Sequence, residues 1–110
     1  MSSPLISRSL FNRLRYKHLH MLVALSSSQN LHRASQALNM SQPAATRMLR
    51  EIEDMFACDL FERLPRGMRP TALGKELIRF AESALSGLDR CAEDLIARQQ
   101  GGYGYLSIGT

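Results

Sequence analysis

Residues 31–47 read LHRASQALNMSQPAATR, and this stretch decides the fold. Its first half predicts a short helix, because apolar residues recur there at helical spacing: Leu31, Ala34, Ala37 and Leu38. A break at 39–41 follows, in which Asn39 tolerates a left-handed conformation. Ser41 is a favourable N-cap and Pro43 loses no hydrogen bond in a first turn, so a second helix should begin at Gln42. Two helices joined by so short a turn indicate a helix-turn-helix.

The helix that starts at Gln42 has two chemically distinct faces. Its apolar face comprises Ala45, Met48, Leu49, Ile52, Met55 and Phe56. A helix-turn-helix typically places its second helix in a DNA major groove. The acidic residues at 51–54 lie in the carboxyl-terminal half of this helix, where they would repel DNA phosphates, so only its amino-terminal half can face DNA. The residues of this helix and its cap that we predict to contact DNA are Ser41, Gln42, Pro43, Thr46, Arg47 and Arg50.

Three of these side chains suit base edges in a major groove. Gln42 can form two hydrogen bonds with adenine, Thr46 offers a hydroxyl and a methyl group, and Arg47 can fork onto guanine or grip phosphate. Arg50, one turn further on, would hold phosphate. The alternative for both arginines is an ordinary solvated helix face, and for Thr46 a cap or a spectator position.

A small hairpin carrying three arginines should follow the helix-turn-helix. Residues 60–63 predict a strand, residues 64–67 supply turn chemistry, and the chain returns at 68–70. The arginines suit a phosphate backbone or a narrow minor groove, and their alternative role is protection of a strand edge. They are Arg63, Arg66 and Arg69.

Helices are predicted on either side of this unit. Residues 13–27 have helical periodicity, and Thr71 should cap a long helix that ends near Arg98. Along it, apolar residues recur in alternating steps of four and three, as in a coiled-coil seam, with Ile78, Leu85, Ala92 and Ile96 beside it. Because a lone helix would leave this surface in water, we expect a second copy to cover it. The predicted dimer contacts are Leu77, Ala81, Ala84, Leu85, Leu88, Cys91 and Leu95.

Bulk composition fits one globular domain with a polyanionic partner. The 110 residues are 45% hydrophobic and 22% charged, with a net charge of +4. Neither a membrane-spanning run nor a leader is recognisable, so we expect a cytoplasmic protein without a membrane partner. His18 and His20 face different ways, at the surface or half-buried, and the two cysteines lack zinc spacing. We therefore predict no metal, no cofactor and no enzyme activity.

Many separated elements resemble the LysR-type transcriptional regulators over residues 13–110. They are Leu14 to Leu25, Ala34 to Leu38, Ser41 to Ala44, Thr46 and Arg47, Glu53, Leu60 to Arg63, Arg66 and Gly67, and Thr71 with Gly74. The resemblance implies a mainly α fold: a winged helix-turn-helix of three helices and a β-hairpin wing, followed by a long dimerisation helix. It also implies that Gln42, Pro43, Thr46 and Arg47 occupy recognition-helix contact positions, and that Arg63 and Arg66 occupy wing positions. The chain departs from the family at His32, where Thr or Ser is common, so Asn30 is the alternative cap.

The expected organisation follows from the patterns and the resemblance together. Residues 1–12 form an extension in which Leu10 and Phe11 touch the body, residues 13–70 the winged helix-turn-helix, and residues 71–99 the linker helix. Residues 100–110 would be a hinge and the first strand of an effector domain that binds a small molecule. The implied function is regulation of transcription by a homodimer on inverted-repeat double-stranded DNA, with a tetramer at full length. The alternative is a winged helix used for protein–protein contact.

Overall fold

The computed structural model describes residues 11–100 of the chain. In order, its elements are α1 (Tyr16–Ser28), α2 (Leu31–Ala37), α3 (Gln42–Phe56), β1 (Phe61–Arg63), β2 (Met68–Pro70) and α4 (Ala72–Gln100). This is the expected mainly α architecture, with three helices, a two-stranded hairpin and a long helix. The predicted contact of Leu10 and the strand expected within 101–110 lie outside the described residues.

Helix α1 begins at Tyr16, three residues later than the periodicity predicts. Arg15 is the N-cap residue, and its backbone is extended, with φ −114° and ψ 164°. Its amide donates a hydrogen bond to Nδ1 of His18 at 2.9 Å, so the helical conformation starts only at the next residue. The helix ends at Ser28, and Gln29 follows in a left-handed conformation, with φ 53°.

The helix-turn-helix is set by local hydrogen bonds. Oδ1 of Asn30 accepts from the amide of Arg33 at 2.9 Å, so Asn30 is the cap of α2. Asn39 adopts the left-handed conformation expected of the turn, with φ 57°. Oγ of Ser41 accepts from the amide of Ala44 at 3.2 Å, which confirms the predicted cap of α3.

One apolar core joins all the helices to the hairpin. Its buried members are Met21, Leu22, Leu25, Leu31, Ala34, Ala45, Leu49, Ile52, Met55, Phe56, Leu60, Phe61, Met68, Leu77, Ile78 and Ala81. Met48 lies half-buried at its edge, and Ala37, predicted on the apolar side of α2, is exposed. One face of α3 is therefore buried in the core, and the opposite face is exposed to solvent.

The hairpin is antiparallel, and its turn is tied to the end of α1. Its register pairs Phe61 with Pro70 and Arg63 with Met68. Gly67 has a φ of 86°, and a Cβ there would overlap the carbonyl oxygen of Gln29. The amide of Met68 donates to that same oxygen at 3.0 Å. The backbone of the turn therefore packs directly on the end of α1.

Helix α4 is capped as predicted by Thr71. Its Oγ1 accepts from the amide of Gly74 at 3.1 Å and donates to the carbonyl of Asp59 at 2.9 Å. Gly74 has no room for a Cβ, which would overlap the carbonyl oxygen of Leu60. The helix is 29 residues long and packs against α1 through its first third.

The predicted pairing seam on α4 needs correction at its amino-terminal end. Leu77 is 7% exposed and Ala81 is fully buried, both within the chain's own core, so neither side chain is open to a second copy. Ala84 and Leu85 are half-buried, while Leu88, Cys91 and Leu95 are exposed. None of the helices within 11–100 combines the length and the hydropathy that crossing a bilayer demands.

Candidate nucleic-acid interface

The first turns of α3 present their polar side chains to solvent. Gln42, Pro43, Arg47 and Arg50 are exposed, as is the cap Ser41. Thr46 is half-buried, so its hydroxyl and methyl group lie at the margin of this face. Solvent access is what base contacts in a major groove require of these residues.

The structure brings the start of α3 close to the wing. Gln42 and Arg63 line one open groove together with Asn30 and His32 at the start of α2. Arg47 and Arg50 line a different groove, on the side of α3 that faces the start of α1. The predicted contact residues therefore spread over two adjoining surfaces on either side of α3, which we call the recognition helix.

The three wing arginines are not equivalent. Arg63 and Arg66 are exposed and form no ion pair within the described residues. Nε of Arg69 donates to Oε1 of Glu62, its cross-strand partner, at 2.9 Å. Because this pair offsets the charge of Arg69, the cationic character of the wing rests on Arg63 and Arg66.

Glu53 holds the wing to the recognition helix. Its Oε2 accepts from the amides of Leu60, at 2.8 Å, and Phe61, at 3.2 Å. The amino acid pattern marks Glu53 only as an acidic residue in the half of α3 that cannot face phosphate. Its presence in the family resemblance was the one signal that could have singled it out.

A buried histidine joins the start of α1 to α3. His18 is 2% exposed, which corrects the expectation of a surface or half-buried position. Because its Nδ1 accepts from the amide of Arg15, its Nε2 carries the proton and donates to Oε1 of Glu51 at 3.2 Å. This hydrogen bond is the main cause of the lowered pKa of Glu51, and the charges of Lys17 and Arg13 act in the same direction.

The cysteines and acidic residues form no recognisable metal site. Within residues 11–100 no three His, Cys, Asp or Glu side chains are grouped closely enough to hold an ion. Cys91 is an exposed free thiol. Burial raises the pKa of the half-buried Cys58 thiol, and the charges of Glu53 and Asp59 add to the effect.

Comparisons with known proteins agree with this geometry. A family model described as "bacterial regulatory helix-turn-helix protein, lysR family" matches residues 16–75. The HTH-type transcriptional regulator GbpR of Azospirillum brasilense is 45% identical over 98 residues, which are 89% of this chain and 29% of GbpR. The HTH-type transcriptional regulator PcaQ of Agrobacterium fabrum is 33% identical over 87 residues, 79% of this chain and 28% of PcaQ.

A solved structure gives the corresponding result for the fold. The CbnR DNA-binding domain in complex with DNA superposes with a TM-score of 0.71 at 27% identity, covering 78% of this chain and 99% of that one. This chain spans less than a third of the length of GbpR and PcaQ. The family match alone takes in α1, the helix-turn-helix, the wing and the start of α4. The resemblance read from the sequence is thus confirmed, and the chain belongs to the lysR family of bacterial regulatory helix-turn-helix proteins.

Proposed function

We propose that this chain is the DNA-binding segment of a transcription regulator that recognises a specific sequence in double-stranded DNA. The observation that carries the proposal is the exposed polar start of α3, with Gln42 beside the wing residue Arg63 in one groove. A helix of this polarity next to a cationic hairpin suits a major groove and the backbone beside it. The solved relative CbnR is itself seen in complex with DNA.

In this proposal α3 enters the major groove by its amino-terminal half. Gln42, Thr46 and Arg47 contact base edges, while Arg50 holds a phosphate. Ser41 and Pro43 shape the first turn at the edge of the groove. On the wing, Arg63 and Arg66 reach the backbone or the minor groove, and Arg69 stiffens the hairpin through Glu62.

We assign residues 13–70 to DNA binding and residues 71–99 to pairing of two copies. The support is the apolar surface in the distal half of α4, where Leu88, Leu95 and Ile96 are each more than half exposed. A homodimer would present two copies of α3 to an inverted repeat. Assembly to a tetramer and control by a small molecule would belong to the rest of the regulator, by analogy with the family.

Titration of labelled promoter DNA at two salt concentrations tests the DNA-binding part. We expect tight, sequence-dependent binding that weakens steeply with salt, because phosphate neutralisation supplies much of the affinity. Arg47→Ala should weaken it by about 5- to 150-fold per recognition helix, since a good base contact contributes roughly 1–3 kcal/mol. Arg90→Ala, an exposed arginine of α4 that lies off the predicted pairing seam, is the matched control. Affinity indifferent to salt and to sequence would instead favour a protein–protein contact module.

Analytical ultracentrifugation tests the pairing surface. Leu88→Asp places a charge in the exposed apolar stripe and should convert dimers to monomers that hold one half-site weakly. Ser86→Asp adds the same charge at another exposed position of α4 and should leave the dimer intact. A Leu88→Asp variant that still sediments as a dimer would remove α4 from the interface.

A further inference from the structure

The short segment before α1 is anchored to the folded body. The ring of Phe11 contacts the rings of Phe56, at the end of α3, and Phe80, on α4, with centroids 5.3 and 5.9 Å apart. The amide of Leu14 donates to the carbonyl of Phe11 at 3.1 Å, and Leu14 is half-buried against the core. Residues 11–15 therefore hold a defined position, and any side chain that they expose is presented at a fixed place.

The side chains that this segment exposes are cationic. Arg13 and Arg15 are exposed, and with Lys17 of α1 they line one open groove beside Glu51. Lys17 also lines the neighbouring groove that contains Arg47 and Arg50. The five cations therefore line two neighbouring grooves, which share Lys17 and Glu51 and extend from α3 to the segment before α1. We call this surface the basic strip: Arg13, Arg15, Lys17, Arg47 and Arg50.

The positive charge of the basic strip is only partly offset by carboxylates within the described residues. Glu51 and Asp54 line the same grooves as the five cations, and Arg50 also lines a third groove with Glu53 and Asp59. Glu51 accepts a hydrogen bond from His18, and Arg13, Arg15 and Lys17 form no ion pair in the part of the chain that the structure describes. The strip is therefore a cationic track that keeps an excess of positive charge.

We propose that Arg13 and Arg15, with Lys17 as the link, bind backbone phosphates on the DNA strand that flanks the groove receiving α3. The inference rests on the proposed function, because the strip starts at the recognition helix and its natural polyanion is the duplex already held there. Arg13 and Arg15 precede residues 16–75, the part of the chain that the family model matches. They would lengthen the DNA footprint without adding sequence preference.

The salt dependence of binding tests this proposal. Each phosphate contact contributes about 0.9 to the slope of log affinity against log salt, so Arg13→Gln with Arg15→Gln should lower the slope by about 2 per protomer, or about 4 for a homodimer on an inverted repeat. At about 0.1 M salt we expect binding that is weaker by at least about tenfold to cognate and to scrambled duplexes alike. Arg13→Glu with Arg15→Glu should weaken binding further. The matched control is Lys75→Gln with Arg90→Gln, which removes two exposed charges from α4, outside the strip, and should leave the slope unchanged.

Duplex length gives a second measurement on the same variants. On DNA trimmed to the base pairs that α3 and the wing cover, wild type and the Arg13→Gln, Arg15→Gln variant should bind equally. The inference would be overturned if wild type and the Arg13→Gln, Arg15→Gln variant had equal salt slopes on the long duplex, or if the control variant lost as much affinity. The proposed function would still stand in that case, provided that Arg47→Ala weakens binding. Wild type that shows no salt-sensitive binding would overturn both. Circular dichroism of each variant confirms that the fold is retained.

Discussion

Replacing Glu53 with glutamine should loosen the wing from the recognition helix. One carboxylate oxygen accepts two backbone amides, those of Leu60 and Phe61, at 2.8 and 3.2 Å. Hydrogen bonds to a charged group contribute about 1.5–3 kcal/mol each to the free energy of unfolding. Glutamine keeps a neutral oxygen that can still accept, so roughly half of the combined contribution should be lost, about 2 kcal/mol. Glu53→Ala, which leaves both amides without their acceptor, should cost more.

Urea denaturation followed by circular dichroism measures this loss. In a domain of this size, about 2 kcal/mol corresponds to a fall of roughly 10 °C in Tm. The matched control is Glu62→Gln, which removes the same charge from an exposed pair with Arg69 and should cost less than about 1 kcal/mol. Equal, small losses for the two variants would refute the reasoning, since Glu53 would then be no more than another surface carboxylate.

Three further substitutions test the local geometry. Gly74→Ala should destabilise the domain by about 1–3 kcal/mol in thermal melts, because its Cβ would overlap the carbonyl of Leu60; an unchanged Tm would contradict this packing. Ser41→Ala should cost about 1 kcal/mol of unfolding free energy in urea, and a neutral result would mean that the cap contributes nothing. The hydrogen bond from His18 lowers the pKa of Glu51 below its ordinary 4.5, so that contribution to stability is complete above this pH and is lost as the pH falls further. Between about pH 5 and 3, the free energy of unfolding should therefore fall less in Glu51→Gln than in wild type. If the two plots of unfolding free energy against pH ran parallel, this would count against the hydrogen bond between His18 and Glu51.

Features that depend on neighbouring residues in the chain were predictable from the sequence. The cap at Ser41 and the left-handed turn at Asn39 are governed by the chemistry of those residues and their immediate neighbours. Asn30 is the cap of α2 for the same reason. Exposure of Arg47 and Arg50 follows from helical periodicity once the apolar face of α3 is buried.

Features that depend on distant parts of the chain were not predictable in this way. The apolar repeat along α4 shows that its residues avoid water but not whether its own domain or a second copy covers them. Leu77 and Ala81 are in fact covered by the chain's own core. The buried His18 is hydrogen-bonded to Glu51, which lies 33 residues away, and no local pattern encodes that contact.

The position of the wing relative to α3 depends on contacts that involve no candidate DNA-binding side chain. The carbonyl of Gln29 holds the turn at Gly67, Glu53 holds the first strand, and the absence of a side chain at Gly74 lets α4 approach Leu60. Because these contacts fix the wing before any partner arrives, less conformational entropy is lost on binding than with a free hairpin. Substitutions at Glu53 or Gly74 should consequently weaken binding through the placement of Arg63, even though neither is among the predicted contact residues. A substitution that lowers DNA affinity therefore does not by itself prove that the residue contacts DNA. For each arginine, the slope of log affinity against log salt is the better measure, because it reports the number of phosphate contacts.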